Sequence, residues 1–180
     1  MREFLKGKFK ILSEFRKFFV NFGAHFGAFL LIIFALNGCF SNSSGGKVGE
    51  KAPKISAKKL NEEKLTLEKD KITVLVFFEN GCAACIKELP LLDEFAYEQR
   101  DKLQAIAINS VDEFKAIQEF KNKYKLENIT FGKDDLDISW QRYSIFALPT
   151  TIIIKDSVVI ERITGDKPWQ DLQSKLLSLL

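Results

Sequence analysis

The chain has 180 residues, enough for one domain of ordinary size. Its net charge of +3 is confined to the N-terminus: residues 1–38 hold six basic side chains and two acidic ones, so the remainder stands at about −1. A domain without a basic excess carries no composition signal for nucleic acid, and three cysteines are too few for a disulfide scaffold.

Ten of the 17 Phe fall at or before position 40, which sets the N-terminal segment apart from the rest. A basic, Phe-rich stretch is followed by a nearly unbroken apolar run from Phe22 to Leu36, broken only by His25. That is the layout of a secretory signal, and the basic end stays cytoplasmic by the positive-inside rule. Leu36-Asn37-Gly38-Cys39 resembles the lipobox of bacterial lipoproteins, which implies removal of residues 1–38 and lipidation of Cys39. Residues 39–47, rich in Ser and Gly, read as a flexible tether. The rival is an uncleaved membrane anchor, since Phe18–Leu36 approaches the ~20 residues that span a bilayer. Either reading sends residues 48–180 across the membrane, to the periplasm or the outer face of the cytoplasmic membrane. The outer membrane is a further possible address.

Val48 to Leu60 and Leu65 to Leu67 read as two short strands. Ile72 to Phe78 is a continuous run of β-branched and aromatic residues, the pattern of a strand buried on both faces. After Asn80-Gly81 the period becomes helical, with Ile86, Leu89, Leu92 and Phe95 on one face and Pro90 positioned to kink the helix. Leu103 to Ile108 is a second buried strand. Val111 to Tyr124 is an amphipathic helix, with Phe114, Ile117 and Phe120 inward. Ile129 to Phe131 is a short strand and Ile138 to Tyr143 a short helix. Thr151–Ile154 and Val158–Ile163 form a hairpin, and Pro168 opens a final helix running to Leu180. Strands alternating with helices predict a layered α/β domain.

Chemistry concentrates at Cys82-Ala83-Ala84-Cys85. Thiol–disulfide exchange needs a thiolate, and the start of a helix stabilises one through unpaired backbone N–H groups and the helix dipole. Such positions lower a cysteine pKa to roughly 3.5–7.5. One helical turn separates the two residues, so Cys85 can reach Cys82. Cys82 is therefore expected as the exposed nucleophile and Cys85 as the shielded resolving thiol. Bound metal is the competing reading, but zinc prefers four ligands and copper(I) adds Met or His. The exported domain, residues 48–180, has no third Cys and no His, and the one Met is Met1. No metal and no cofactor beyond the Cys82–Cys85 disulfide is expected.

Val74-Leu75-Val76-Phe77-Phe78, the C-x-x-C and Glu88-Leu89-Pro90 together resemble the thioredoxin-like TlpA/ResA/CcmG (DsbE) group of membrane-anchored thiol-disulfide oxidoreductases. Tyr143 to Thr151, with Leu148-Pro149-Thr150 at its centre, matches that group's second signature, although Ser144 and Ala147 stand where Gly is usual. Val48 to Pro53 is similar to its N-terminal lead-in. The resemblance spans residues 48–180. It implies a thioredoxin-like fold with a central mixed sheet, helices on both faces and an N-terminal strand extension. It also implies a cis Pro149 beside Cys82 and a Leu148 backbone offered to an extended substrate. Gly81 replaces the usual Trp. Val76 takes the place of the buried acid through which cytosolic thioredoxins move a proton. Glu79 and Glu88 could replace that acid, but each is expected as a solvated surface carboxylate.

These features imply a monomeric reductant of exported protein disulfides, fed by a membrane reductase and working in cytochrome c maturation, with apocytochrome c as the substrate suggested by the resemblance. A thiol oxidase or isomerase and a non-catalytic binding module or metallochaperone remain as alternatives.

Overall fold

The computed structural model describes residues 45–180; the expected signal and Cys39 lie outside them. In chain order the elements are β1 (Ala57–Lys59), β2 (Ile72–Phe78), α1 (Ala83–Glu98), β3 (Leu103–Asn109) and α2 (Phe114–Tyr124). They continue as β4 (Ile129–Asp134), α3 (Ile138–Arg142), β5 (Thr150–Lys155), β6 (Val158–Thr164) and α4 (Trp169–Leu177). Among the described residues no helix is long and apolar enough to cross a membrane.

One mixed sheet carries the six strands in the order β1-β4-β3-β2-β5-β6. β2, β3 and β4 run parallel, while β1, β5 and β6 are antiparallel to their neighbours. The continuous apolar run of β2 belongs at the centre, because all seven of its residues are buried. Val74, Val76 and Phe78 face one core, shared with α1, α2 and α4. Leu75 and Phe77 face the other, with Tyr143, Ile145 and the N-terminal extension. Phe77 and Phe78 have no exposed surface, and burying a side chain of that size contributes about 1.5–3 kcal/mol. The parallel register, Ile72 opposite Leu103 through Phe78 opposite Asn109, brings the C-terminal ends of β2 and β3 to one edge of the sheet. That edge carries the cysteines.

Several elements differ from the sequence reading, and α2 begins at Phe114 rather than Val111. The lead-in forms only the three residues of β1 and an isolated bridge from Lys51 to Val158. Pro53 has no N–H to give a ladder. Its neighbours bond to distant groups instead: Ala52 N–H to the Ser157 carbonyl at 2.8 Å and Ser56 N–H to Ser139 Oγ at 2.8 Å. The strand expected at Leu65–Leu67 reduces to a bridge at Lys64. β4 extends to Asp134 because β1 covers its edge. At Gly132 a Cβ would stand 2.7 Å from Leu65 and 3.2 Å from the Lys58 carbonyl, so the crossing requires glycine.

The last helix stops at Leu177, where Ser178 Oγ donates to the Lys175 carbonyl at 2.6 Å. Pro168 is its N-cap rather than its first helical residue. α1 runs through Pro90 to Glu98. The hairpin turns on Asp156 and Ser157, both at positive φ, as a two-residue turn of primed type demands. Residues 45–47, expected in the tether, belong to this packed unit: a Cβ on Gly45 would overlap the Arg142 carbonyl and Pro53, and Gly46 lies against Tyr143.

Candidate active site

Cys82 and Cys85 are joined in a disulfide, with Cα atoms 5.2 Å apart. Cys82 is the N-cap of α1, and its sulfur accepts the Cys85 N–H at 3.1 Å. A sulfur in the place of a capping oxygen receives the same unpaired donors, which favour negative charge there. Cys82 is half-buried and Cys85 fully buried in the core of α1. Only Cys82 is open to an incoming sulfur.

The turn before Cys82 is held from both sides. The Cys82 N–H donates to the Glu79 carbonyl at 3.1 Å. Asn80 donates its N–H to Asp112 Oδ2 at 2.9 Å and its side-chain amide to the Ala116 carbonyl at 2.9 Å. Asn109, fully buried at the end of β3, donates to the same Asp112 oxygen at 2.8 Å and accepts the N–H groups of Val111 and Asp112. This network went unread in the sequence. Its signal was an Asn directly after an apolar strand run. At Gly81 an added Cβ would meet nothing within 4 Å, so the site is open where relatives carry Trp.

The Leu148–Pro149 bond is cis, as the resemblance implies. Pro149 is buried, and both Leu148 and Cys82 pack against the core that contains Cys85. No polar contact among the described residues engages the Leu148 N–H or carbonyl. Ser144, where Gly is usual, keeps a positive φ of 50°, so the backbone there is the one glycine would favour. Arg162 clamps this loop: Nη1 donates to the Tyr143 carbonyl at 2.8 Å and Nη2 to the Ser144 carbonyl at 2.9 Å. Phe146, Val111 and Leu136 are strongly exposed apolar residues in the connections at the disulfide end of the sheet.

Glu88 departs from its expectation as a solvated carboxylate. It is half-buried, and its Oε1 accepts the Thr151 hydroxyl at 2.6 Å. Burial raises its pKa, opposed by the Thr151 hydrogen bond and assisted by the negative charge of Asp166. Thr151 is the register partner of Val76 in β2. The carboxylate thus reaches from the helix the part of the sheet that cytosolic relatives supply from the strand. It lies one turn after Cys85, so the two side chains are neighbours on α1. Glu79 is half-buried beside the turn. Among the described residues no three His, Cys, Asp or Glu converge as a metal-ligand set.

The AhpC/TSA family model matches residues 48–163. The chain is 30% identical over 139 residues to the thioredoxin-like protein YneN of Bacillus subtilis strain 168, covering 73% of this chain and 80% of that protein. It is 28% identical over 144 residues to the thiol-disulfide oxidoreductase ResA of Bacillus thuringiensis strain Al Hakam, covering 77% and 82%. The solved structure of MTB dsbF, in mixed oxidised and reduced forms, superposes with a TM-score of 0.63 at 23% identity, over 70% of this chain and 95% of that one. The fold is thioredoxin-like.

Proposed function

The chain belongs to the AhpC/TSA family and is a thioredoxin-like thiol-disulfide oxidoreductase, and from that premise we propose that it works outside the cytoplasm, anchored at Cys39, as a reductant of disulfides in exported proteins. The observation that carries the chemistry is the Cys82–Cys85 disulfide at the start of α1, with one sulfur open and one buried.

In the proposed cycle the Cys82 thiolate attacks one sulfur of a substrate disulfide. That S–S bond breaks, and the substrate's second sulfur leaves as a thiolate and takes a proton. Cys85 then loses its proton and attacks the Cys82 sulfur, releasing the first substrate sulfur and closing the Cys82–Cys85 disulfide. Two electrons have passed to the substrate. The oxidised state is the one described, and a membrane dithiol reductase returns two electrons to restart the cycle. Glu88 is the group we assign to receive the Cys85 proton, since it lies one helical turn from Cys85 and its half-burial raises the pKa of its carboxylate. Leu148, with its unengaged backbone, and Pro149 would hold an extended substrate by strand addition. The apolar rim of Phe146, Val111 and Leu136 suits a segment with apolar residues beside its cysteine. Apocytochrome c is the substrate favoured by the resemblance.

Direction of electron flow follows from Ala83 and Ala84. Neither side chain can donate a hydrogen bond to the Cys82 thiolate, so the dithiol lacks the stabilisation that makes a strong oxidant. The expected potential is nearer the roughly −270 mV of thioredoxin than the roughly −120 mV of DsbA. A redox titration against glutathione tests this. A midpoint more positive than about −160 mV on that scale would make the protein an oxidase.

A further inference from the structure

Charge is unevenly spread over the described domain. Residues 1–44 contain six of the chain's 27 basic and two of its 24 acidic side chains, which leaves 21 against 22. Within that near balance, one groove of about 580 Å³ is strongly basic. It lies on the face of the sheet opposite α1, between the N-terminal extension and residues 64–71, and both Thr73 and Ile154 line it. Lys51, Lys54, Lys64, Lys69, Lys71 and Arg142 line it against only Glu68 and Asp156. Glu68 pairs with Lys71 at 3.1 Å. Lys51, Lys54, Lys64 and Lys69 are exposed and form no ion pair among the described residues. Apolar side chains of Ile55, Leu65 and Leu67 line the groove between them. The disulfide end has the opposite sign: Glu79 follows β2, Asp112 follows β3, and Asp135 and Asp137 follow β4.

The chain reaches this groove from the anchor. Gly45 packs against the Arg142 carbonyl and Pro53, two residues that line it. Five residues lie between Cys39 and Gly45, so six Cα–Cα steps give a contour of at most about 20 Å. A membrane anchored at Cys39 would therefore lie within about 20 Å of Gly45, which packs at the rim of this groove. Lysine arms around an apolar trough are the composition of an interfacial surface, with stems against apolar contacts and heads toward phosphates.

We infer that the face bearing this groove docks on an anionic phospholipid bilayer, leaving α1 and the disulfide on the side turned away from the lipid. The inference rests on the anchor reading of Cys39. Electrostatic attraction of this kind acts over a Debye length and is screened by salt.

The test uses the full chain with its native anchor, reconstituted into vesicles of phosphatidylcholine alone or with roughly one third phosphatidylglycerol, and follows backbone hydrogen exchange. Residues 51–71 exchange more slowly on the anionic vesicles than on the neutral ones, and residues 79–85 do not change. High salt removes the difference, as does the combined variant Lys51→Glu, Lys54→Glu, Lys64→Glu and Lys69→Glu. Equal exchange on both vesicles, with the chain floating with each, overturns the docking and leaves the anchor standing. Protection at residues 79–85 instead overturns it as well. A chain that floats with neither vesicle overturns docking and anchor together. Insulin reduction on the same samples reports the thiol chemistry independently of all three results.

Discussion

Thr151→Val separates a carboxylate tuned for proton transfer from one that only packs. Thr151 is 1% exposed, so valine occupies the same space and removes one donor. That donor is the hydroxyl held 2.6 Å from Glu88 Oε1, a short contact of the kind made to a charged acceptor. A hydrogen bond to a charged group is worth about 1.5–3 kcal/mol, and one to a neutral group about 0.5–1.5 kcal/mol. Glu88 is half-buried rather than sealed, so the loss with Glu88 ionised falls near the lower figure, about 1.5 kcal/mol. The sign follows from the raised pKa. Such a group's contribution to stability is fully present below the unfolded carboxylate value and is lost as pH rises through the folded one. Thr151→Val raises the folded value further and deepens that loss. Urea unfolding of the oxidised protein at about pH 4 and pH 8 should show the penalty growing with pH at constant slope m. Glu88→Gln keeps an acceptor for Thr151 without the charge, so it should stabilise the protein at the higher pH and flatten its pH dependence. In the reduced protein, Glu88→Gln should also slow resolution of mixed disulfides by Cys85. A Thr151→Val penalty equal at both pH values, or shrinking as pH rises, would refute the assignment of Glu88 as an ionisable acceptor of the Thr151 hydroxyl.

Cys39→Ala should abolish lipid labelling and release or misprocess the protein; unchanged labelling in that variant refutes lipid attachment at Cys39. Arg162→Lys should destabilise the loop before Pro149 by about 2 kcal/mol, because one ammonium cannot span two carbonyls as the planar guanidinium does. Its KM for a protein disulfide should rise while the midpoint potential of the Cys82–Cys85 pair stays put. A shifted potential with unchanged KM would place Arg162 in tuning the thiols instead.

What the sequence made legible were the elements whose surroundings are uniform. β2 and β3 are apolar along most of their length, Thr73, Gln104 and Asn109 apart, because sheet neighbours and both cores enclose them. α1 was legible because one face alone meets the sheet. The lead-in was misread because its partners, Val159, Ser157 and Ser139, lie about 80 to 110 residues away and no local period encodes them. Glu88 was misjudged for the same reason: on a helix with alternating exposed residues it looks solvated, but Thr151 is 63 residues downstream. The cis state of Pro149 entered with the family resemblance, since no spacing of residues encodes a peptide isomer. Val111 reads as the first residue of a helix that begins only at Phe114, Phe146 as part of the family signature and Leu136 as a connection, although large exposed apolar side chains together are a signal of a contact surface.

The division of labour between the two sulfurs is the centre of the account, and mixed-disulfide trapping measures it directly. In cells making the Cys85→Ser variant, alkylation at quench followed by non-reducing electrophoresis should reveal covalent adducts with exported proteins, all of them released by dithiothreitol. The Cys82→Ser variant leaves only the buried sulfur at the site and should trap few or none. Adducts on Cys82→Ser and not on Cys85→Ser would contradict the assignment of Cys82 as nucleophile, and adducts on neither would contradict disulfide exchange with exported proteins as the function.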